Sequence, residues 1–94
     1  MSLHGKKALI TGGSRGIGLQ IGRIFLENGA DVLAVSRDPV KLEQAKDELQ
    51  DLHVLQVDVS IPADNVRVMT WIQDNCGALD ILVNNAGVSP ADSG

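Results

Sequence analysis

Apolar positions along the chain follow two alternating rhythms. Four short, mostly apolar runs, Ala8–Ile10, Val32–Val35, Val54–Val57 and Ile81–Val83, are rich in β-branched residues and too short for buried helices. Such runs predict strands covered on both faces. Between them the spacing changes to that of a helix, with Ile17, Ile21, Ile24 and Phe25 in the first interval, Leu42, Ala45 and Leu49 in the second, and Val66, Met69 and Ile72 in the third. Each set predicts a helix that lays one apolar stripe on a sheet. The punctuation agrees: Asp38 before Pro39 predicts an N-cap with proline in the first turn, Ser60 is placed to cap ahead of Pro62, and Gly29 and Gly77 close helices.

The predicted order is therefore β-α-β-α-β-α-β. Crossovers between parallel strands are right-handed, so the expected product is a doubly wound α/β sheet of four strands and three helices in the order 3-2-1-4. The sheet order reverses direction between the first and fourth strands, and such a reversal opens a crevice at the carboxyl ends of the strands. Residues 1–94 read as one domain, ending after the fourth strand in a loose tail, Ser89–Gly94.

Composition narrows the setting. With 94 residues, 44% hydrophobic and 21% charged, the chain has the balance of a small globular unit with little stability to spare. A net charge of −4 argues against nucleic acid or an anionic membrane as the main partner. No stretch has the length of a signal peptide or a membrane span, so a cytoplasmic location is expected. Cys76 is the single cysteine, which excludes an internal disulfide and a thiolate metal cluster. His4 and His53 belong to no cluster of metal-ligand spacing, Trp71 reads as a packing residue, and Lys41, Glu43, Lys46, Asp47 and Glu48 form a solvated helix face.

Candidate chemistry concentrates in Ile10–Gly18, ITGGSRGIG, where four glycines follow the first strand directly. Gly12 permits a sharp turn, and Gly16 and Gly18 remove β-carbons that would hold a pyrophosphate, or the strand under the helix, at a distance. The first N–H groups of the following helix lack intrahelical partners and attract an anion. Tight strand-to-helix packing alone would use the same residues, and the spacing departs from G-x-G-x-x-G because Ile21 stands at the last position.

Thr11–Gly18 reads T-G-x-x-x-G-x-G, Asp58-Val59 follows the third strand, and Asn84-Asn85-Ala86-Gly87 follows the fourth. Together these motifs resemble the short-chain dehydrogenase/reductase family, and the likeness covers essentially the whole chain. The resemblance implies a partial Rossmann fold in which Gly12, Ser14, Arg15, Gly16, Ile17 and Gly18 contact the pyrophosphate and adjoining ribose of a nicotinamide dinucleotide. Asp58 would bond the adenine amino group beside the backbone of Val59. Asn85, Ala86 and Gly87 would line the path to the nicotinamide ribose, and Asn84 would tie strands together. Arg37, at the end of the second strand, and Arg15 match the family's markers of NADP preference, while Asp38 reads as a helix cap rather than a ribose ligand.

Family members exchange a proton with their substrate through a tyrosine, assisted by a lysine four residues later and a serine. The chain contains no tyrosine, so no catalytic residue is assigned. Two functions follow as expectations: the NADP(H)-binding portion of a carbonyl reductase or alcohol dehydrogenase without its catalytic half, inactive alone, or a non-catalytic module that binds a dinucleotide or a partner. The phrases Thr11–Gly18 and Asn84–Gly87 look much like those of 3-oxoacyl-carrier-protein reductases without fixing the substrate. The fourth strand, Ile81–Val83, is expected to present an open edge for self-association or docking on a full-length relative.

Overall fold

The structure, a computed structural model, describes residues 2–12 and 16–85. Strands β1 (Lys7–Thr11), β2 (Asp31–Ser36), β3 (His53–Gln56) and β4 (Ile81–Asn84) alternate with helices α1 (Gly16–Glu27), α2 (Pro39–Glu48) and α3 (Pro62–Asn75). All pairings are parallel, in the sheet order β3-β2-β1-β4, as the alternation of rhythms predicts. Thr11 stands opposite both Val35 and Asn84, and Ser36 opposite Gln56, so the four strands end together at one edge.

Strand alternation divides the core into two layers. On one face Ala8, Ile10, Val32 and Ala34 pack with Ala45, Leu49 and Leu52, joined by half-buried Ile21 and Phe25. On the other, Leu9, Leu33, Val35 and Val57 meet Val68 and Ile72 of α3. The α2 stripe Leu42, Ala45 and Leu49 is buried as expected.

Two helices bury only part of the set their apolar spacing suggests. In α1 Gly18 and Gly22 are buried, Ile21 and Phe25 are half-buried against the core, and Ile17 and Ile24 are exposed. A Cβ on Gly22 would lie 3.6 Å from Ile10 and 3.9 Å from Leu52, so it is the missing side chains that let this helix sit close. In α3, Val68 and Ile72 face the sheet, and Val66 and Met69 are exposed. The stripe runs through Ile72 at a spacing of four rather than three.

The helix ends follow capping chemistry. Asp38 Oδ1 accepts from Val40 N at 3.0 Å and Lys41 N at 3.3 Å, the predicted cap of α2. Gly29 (φ 94°) closes α1 with its N–H on Leu26 O, and Gly77 (φ 82°) closes α3 with its N–H on Ile72 O. The expected Ser60 cap does not form: Ile61 occupies the N-cap of α3 without a side-chain bond, because the Ser60 amide and hydroxyl both donate to Asp58 Oδ1, at 2.9 and 2.6 Å. His53 lies exposed on edge strand β3 with its ring 5.3 Å from that of Trp71, which packs against the α3 layer of the core as expected.

Candidate functional site

The carboxyl ends of the strands gather the polar residues the sequence singles out. At β1 and β4, the Thr11 hydroxyl donates to Asn84 Oδ1 at 3.0 Å and accepts from the Asn85 amide at 3.0 Å. Asn84 thus joins two strands, and Asn85, whose Nδ2 reaches Gly12 O at 3.4 Å, is held against the start of the glycine turn.

Gly12 (φ 67°) and Gly16 (φ 59°) both adopt left-handed backbone on either side of residues 13–15. No β-carbon is tolerated cheaply in that region of φ, and at Gly16 the conformation alone sets the requirement, since a Cβ there would meet nothing within 4 Å. Helix α1 starts at Gly16, with Ile17 exposed in its first turn and Gly18 buried. Its unpaired N–H groups and positive dipole end suit a phosphate, so the backbone present fits a pyrophosphate. Ser14 and Arg15, and Ala86 and Gly87 beyond β4, lie outside the described residues.

Beyond β2 and β3 lies an open cavity of about 410 Å³ lined by Arg37, Gln56, Val57, Asp58, Asp64 and Arg67. Ser36 is buried at the end of β2 and its Oγ accepts from the Asp38 amide at 3.2 Å, which sets the turn that presents Arg37. Gln56 Nε2 donates to Arg37 O at 3.3 Å. Asp58 enters the cavity just past Val57, and Val59 is exposed beside it. The hydroxyl and amide of Ser60 hold the Asp58 carboxyl below the usual carboxylate range, burial opposes them, and the Arg37 guanidinium adds to the lowering.

Sequence spacing did not single out Gln56, Asp64 or Arg67. Asp64 Oδ2 accepts from Asp58 N at 2.8 Å and its Oδ1 from Arg67 Nη1 at 3.3 Å. The available signal was an acidic residue in the first turn of a helix that begins at Pro62. Asp80 carries no such sequence signal: its Oδ2 accepts from Lys7 N at 2.9 Å and its N–H donates to Lys7 O at 2.9 Å, aligning the starts of β1 and β4. Among the described residues no group of three or more His, Cys, Asp or Glu is arranged to hold a metal ion, and no helix is long and apolar enough to cross a membrane.

Comparison with known proteins converges on one family. The family model described as short chain dehydrogenase matches residues 6–93. The chain is 41% identical over 93 residues to a 3-oxoacyl-[acyl-carrier-protein] reductase of Chlamydia pneumoniae, covering 95% of this chain and 38% of that protein. It is 37% identical over 99 residues to a 3alpha-hydroxysteroid dehydrogenase of Mediterraneibacter gnavus, covering 99% of this chain and 40% of that one. The solved RhlG/NADP active-site complex of Pseudomonas aeruginosa superposes with a TM-score of 0.84 at 41% identity, covering 96% of this chain and 38% of that one. The chain thus spans less than half the length of each of these proteins.

Proposed function

The chain belongs to the short-chain dehydrogenase family, and on that premise we propose that it is the NADP(H)-binding portion of an oxidoreductase that reduces carbonyls or oxidises alcohols. The observation that carries the cofactor choice is at the end of β2. Arg37 lines the cavity beside Asp58, while Asp38, the nearest carboxylate in sequence that could repel a 2′-phosphate, is engaged as the cap of α2. The NADP in the Pseudomonas aeruginosa complex supports the same choice.

When bound, the dinucleotide supplies the hydride. The chain's own residues bind and orient it: Gly12, Ser14, Arg15, Gly16, Ile17 and Gly18 at the pyrophosphate, Arg37 with Arg15 at the 2′-phosphate, Asp58 and Val59 at the adenine, and Asn85, Ala86 and Gly87 toward the nicotinamide ribose. Asn84 acts through Thr11, keeping β4 in register beside the glycine turn. The acidic net charge of −4 supports a cytoplasmic setting.

Calorimetric titration tests the reading. NADPH is expected to bind about tenfold or more tightly than NADH, since a charge-assisted contact is worth about 1.5–3 kcal/mol. Arg37→Asp should narrow or invert the ratio, and equal affinities untouched by that substitution would overturn NADP preference. With no tyrosine in its 94 residues, the chain by itself should not oxidise NADPH with a carbonyl above background. Positioned proton donation contributes about 10²–10⁴-fold, and turnover traced to this polypeptide would require another acid.

A further inference from the structure

The loop after β3 is tied from outside by the helix that follows it. Asp64 Oδ2 accepts from the Asp58 amide at 2.8 Å, and Asn65 Nδ2 donates to Val59 O at 2.9 Å. Two consecutive residues of the α3 first turn thus hold the two consecutive residues that the proposed site assigns to the adenine ring. Asp64 is itself held, since Arg67, one turn further along, donates to its other oxygen at 3.3 Å. Asp58 spends one carboxylate oxygen, Oδ1, on the Ser60 amide and hydroxyl, and Oδ2 carries no hydrogen bond among the described residues. Asp58, Asp64 and Arg67 line one cavity.

We propose that Asp64 is a positioning residue for base recognition: by fixing the Asp58 backbone, it aims the Asp58 carboxylate at the exocyclic amino group of an adenine ring. This rests on the proposed cofactor reading. A carboxylate accepts from the 6-amino group of adenine and is opposed by the 6-oxo group of hypoxanthine, so the pair of bases reports the aim of Asp58 directly. Arg67 completes the arrangement by neutralising Asp64, which keeps a second uncompensated carboxylate away from a ligand rich in phosphate.

The test is to titrate the full chain and its variants with NADPH, NADH and the reduced nicotinamide hypoxanthine dinucleotide phosphate. The unaltered chain should prefer adenine over hypoxanthine by about tenfold, the worth of one hydrogen bond to a charged group. Asp64→Ala should bring that ratio to within about twofold of unity, and Asp64→Asn, whose carbonyl oxygen can still accept from Asp58 N, should keep most of it. Asp64→Glu retains the acid in the first turn of α3, and with it a folded chain, but displaces the acceptor and should lose most of the ratio. The NADPH to NADH ratio, set at Arg37, should stay unchanged in every variant, whereas a general loosening of the fold would weaken all three ligands together. Full adenine preference in Asp64→Ala or Asp64→Glu, loss of it in Asp64→Asn, or its absence from the unaltered chain would overturn the role of Asp64. Failure of the unaltered chain to bind NADPH would instead remove the proposed function and this inference with it.

Discussion

At the scale of single residues, Asp58 shows how a short motif carries several duties. Ser60 supplies two donors to one of its oxygens, Asp64 takes its amide, and the Arg37 charge is close enough to be felt. The Asp58 pKa is lowered in the folded chain, so its contribution to stability is present above the ordinary carboxylate value and is lost as pH falls through the lowered one. Ser60→Ala removes the hydroxyl donor and should raise the Asp58 pKa toward its ordinary value, moving this loss to higher pH. Carboxyl-carbon NMR titration reads the shift, and an unmoved Asp58 would mean that Arg37 rather than Ser60 dominates. Asp38 was legible in the sequence because its partners are local, whereas the strand-tying role of Asn84, met by the Thr11 hydroxyl, came only from the family resemblance. The misplaced cap at Ser60 arose from the opposite cause: its hydroxyl finds Asp58, two residues away, before it can reach the amides of α3.

At the scale of elements, every strand and helix was legible because short apolar runs give way at each boundary to apolar residues spaced three to four apart. The faces were less so. Periodicity identifies a stripe, but in α1 that stripe is split: Ile21 and Phe25 pack against the core beside Gly22, whose missing side chain allows a close approach, while Ile17 and Ile24 stay exposed. In α3 two overlapping sets share Ile72, and only the contact with Leu9, Leu33 and Val35 chooses Val68 over Val66 and Met69. The glycines of this layer make contrasting predictions. Gly22→Ala places a Cβ in ordinary contact at 3.6–4.0 Å within a helix and should stabilise by about 0.5–1 kcal/mol. Gly22→Leu overfills the same space and should destabilise by about 1–3 kcal/mol. Gly29→Ala should also destabilise, by about 1 kcal/mol or more, because φ is 94° and the new Cβ would lie 3.1 Å from the His4 backbone. Denaturant melts of the three variants check the order. A stabilising Gly29→Ala would contradict the turn.

At the scale of the whole molecule, the sheet has two edges of different character. β3 carries exposed polar residues, His53 and Gln56, at its ends, and the His53 ring leans on Trp71. At the other edge β4 carries Leu82, which pairs in register with Leu9 on the α3 side of the sheet. Leu9 is 7% exposed and Leu82 is 61%, so α3 covers the middle of that face and leaves β4 open among the described residues. An edge strand with free backbone groups and an apolar outward side chain is a template for pairing, and lysine at such a position is a common natural guard. The sequence made the topology and this edge legible, but the exposure of Leu82 depends on where α3 lies across the sheet, which no local pattern encodes. Tested as an isolated 94-residue polypeptide, the chain is expected to self-associate through β4. Light scattering should show concentration-dependent growth that Leu82→Lys suppresses and His53→Lys, on the opposite edge, does not. NADPH at a hundredfold excess over its dissociation constant should add about 2.7 kcal/mol to the folded state and raise the melting temperature without abolishing the association, because the proposed cofactor site lies at the strand ends and not along the β4 edge. A monomer at all concentrations, or growth that persists unchanged in Leu82→Lys, would place the interface elsewhere or remove it.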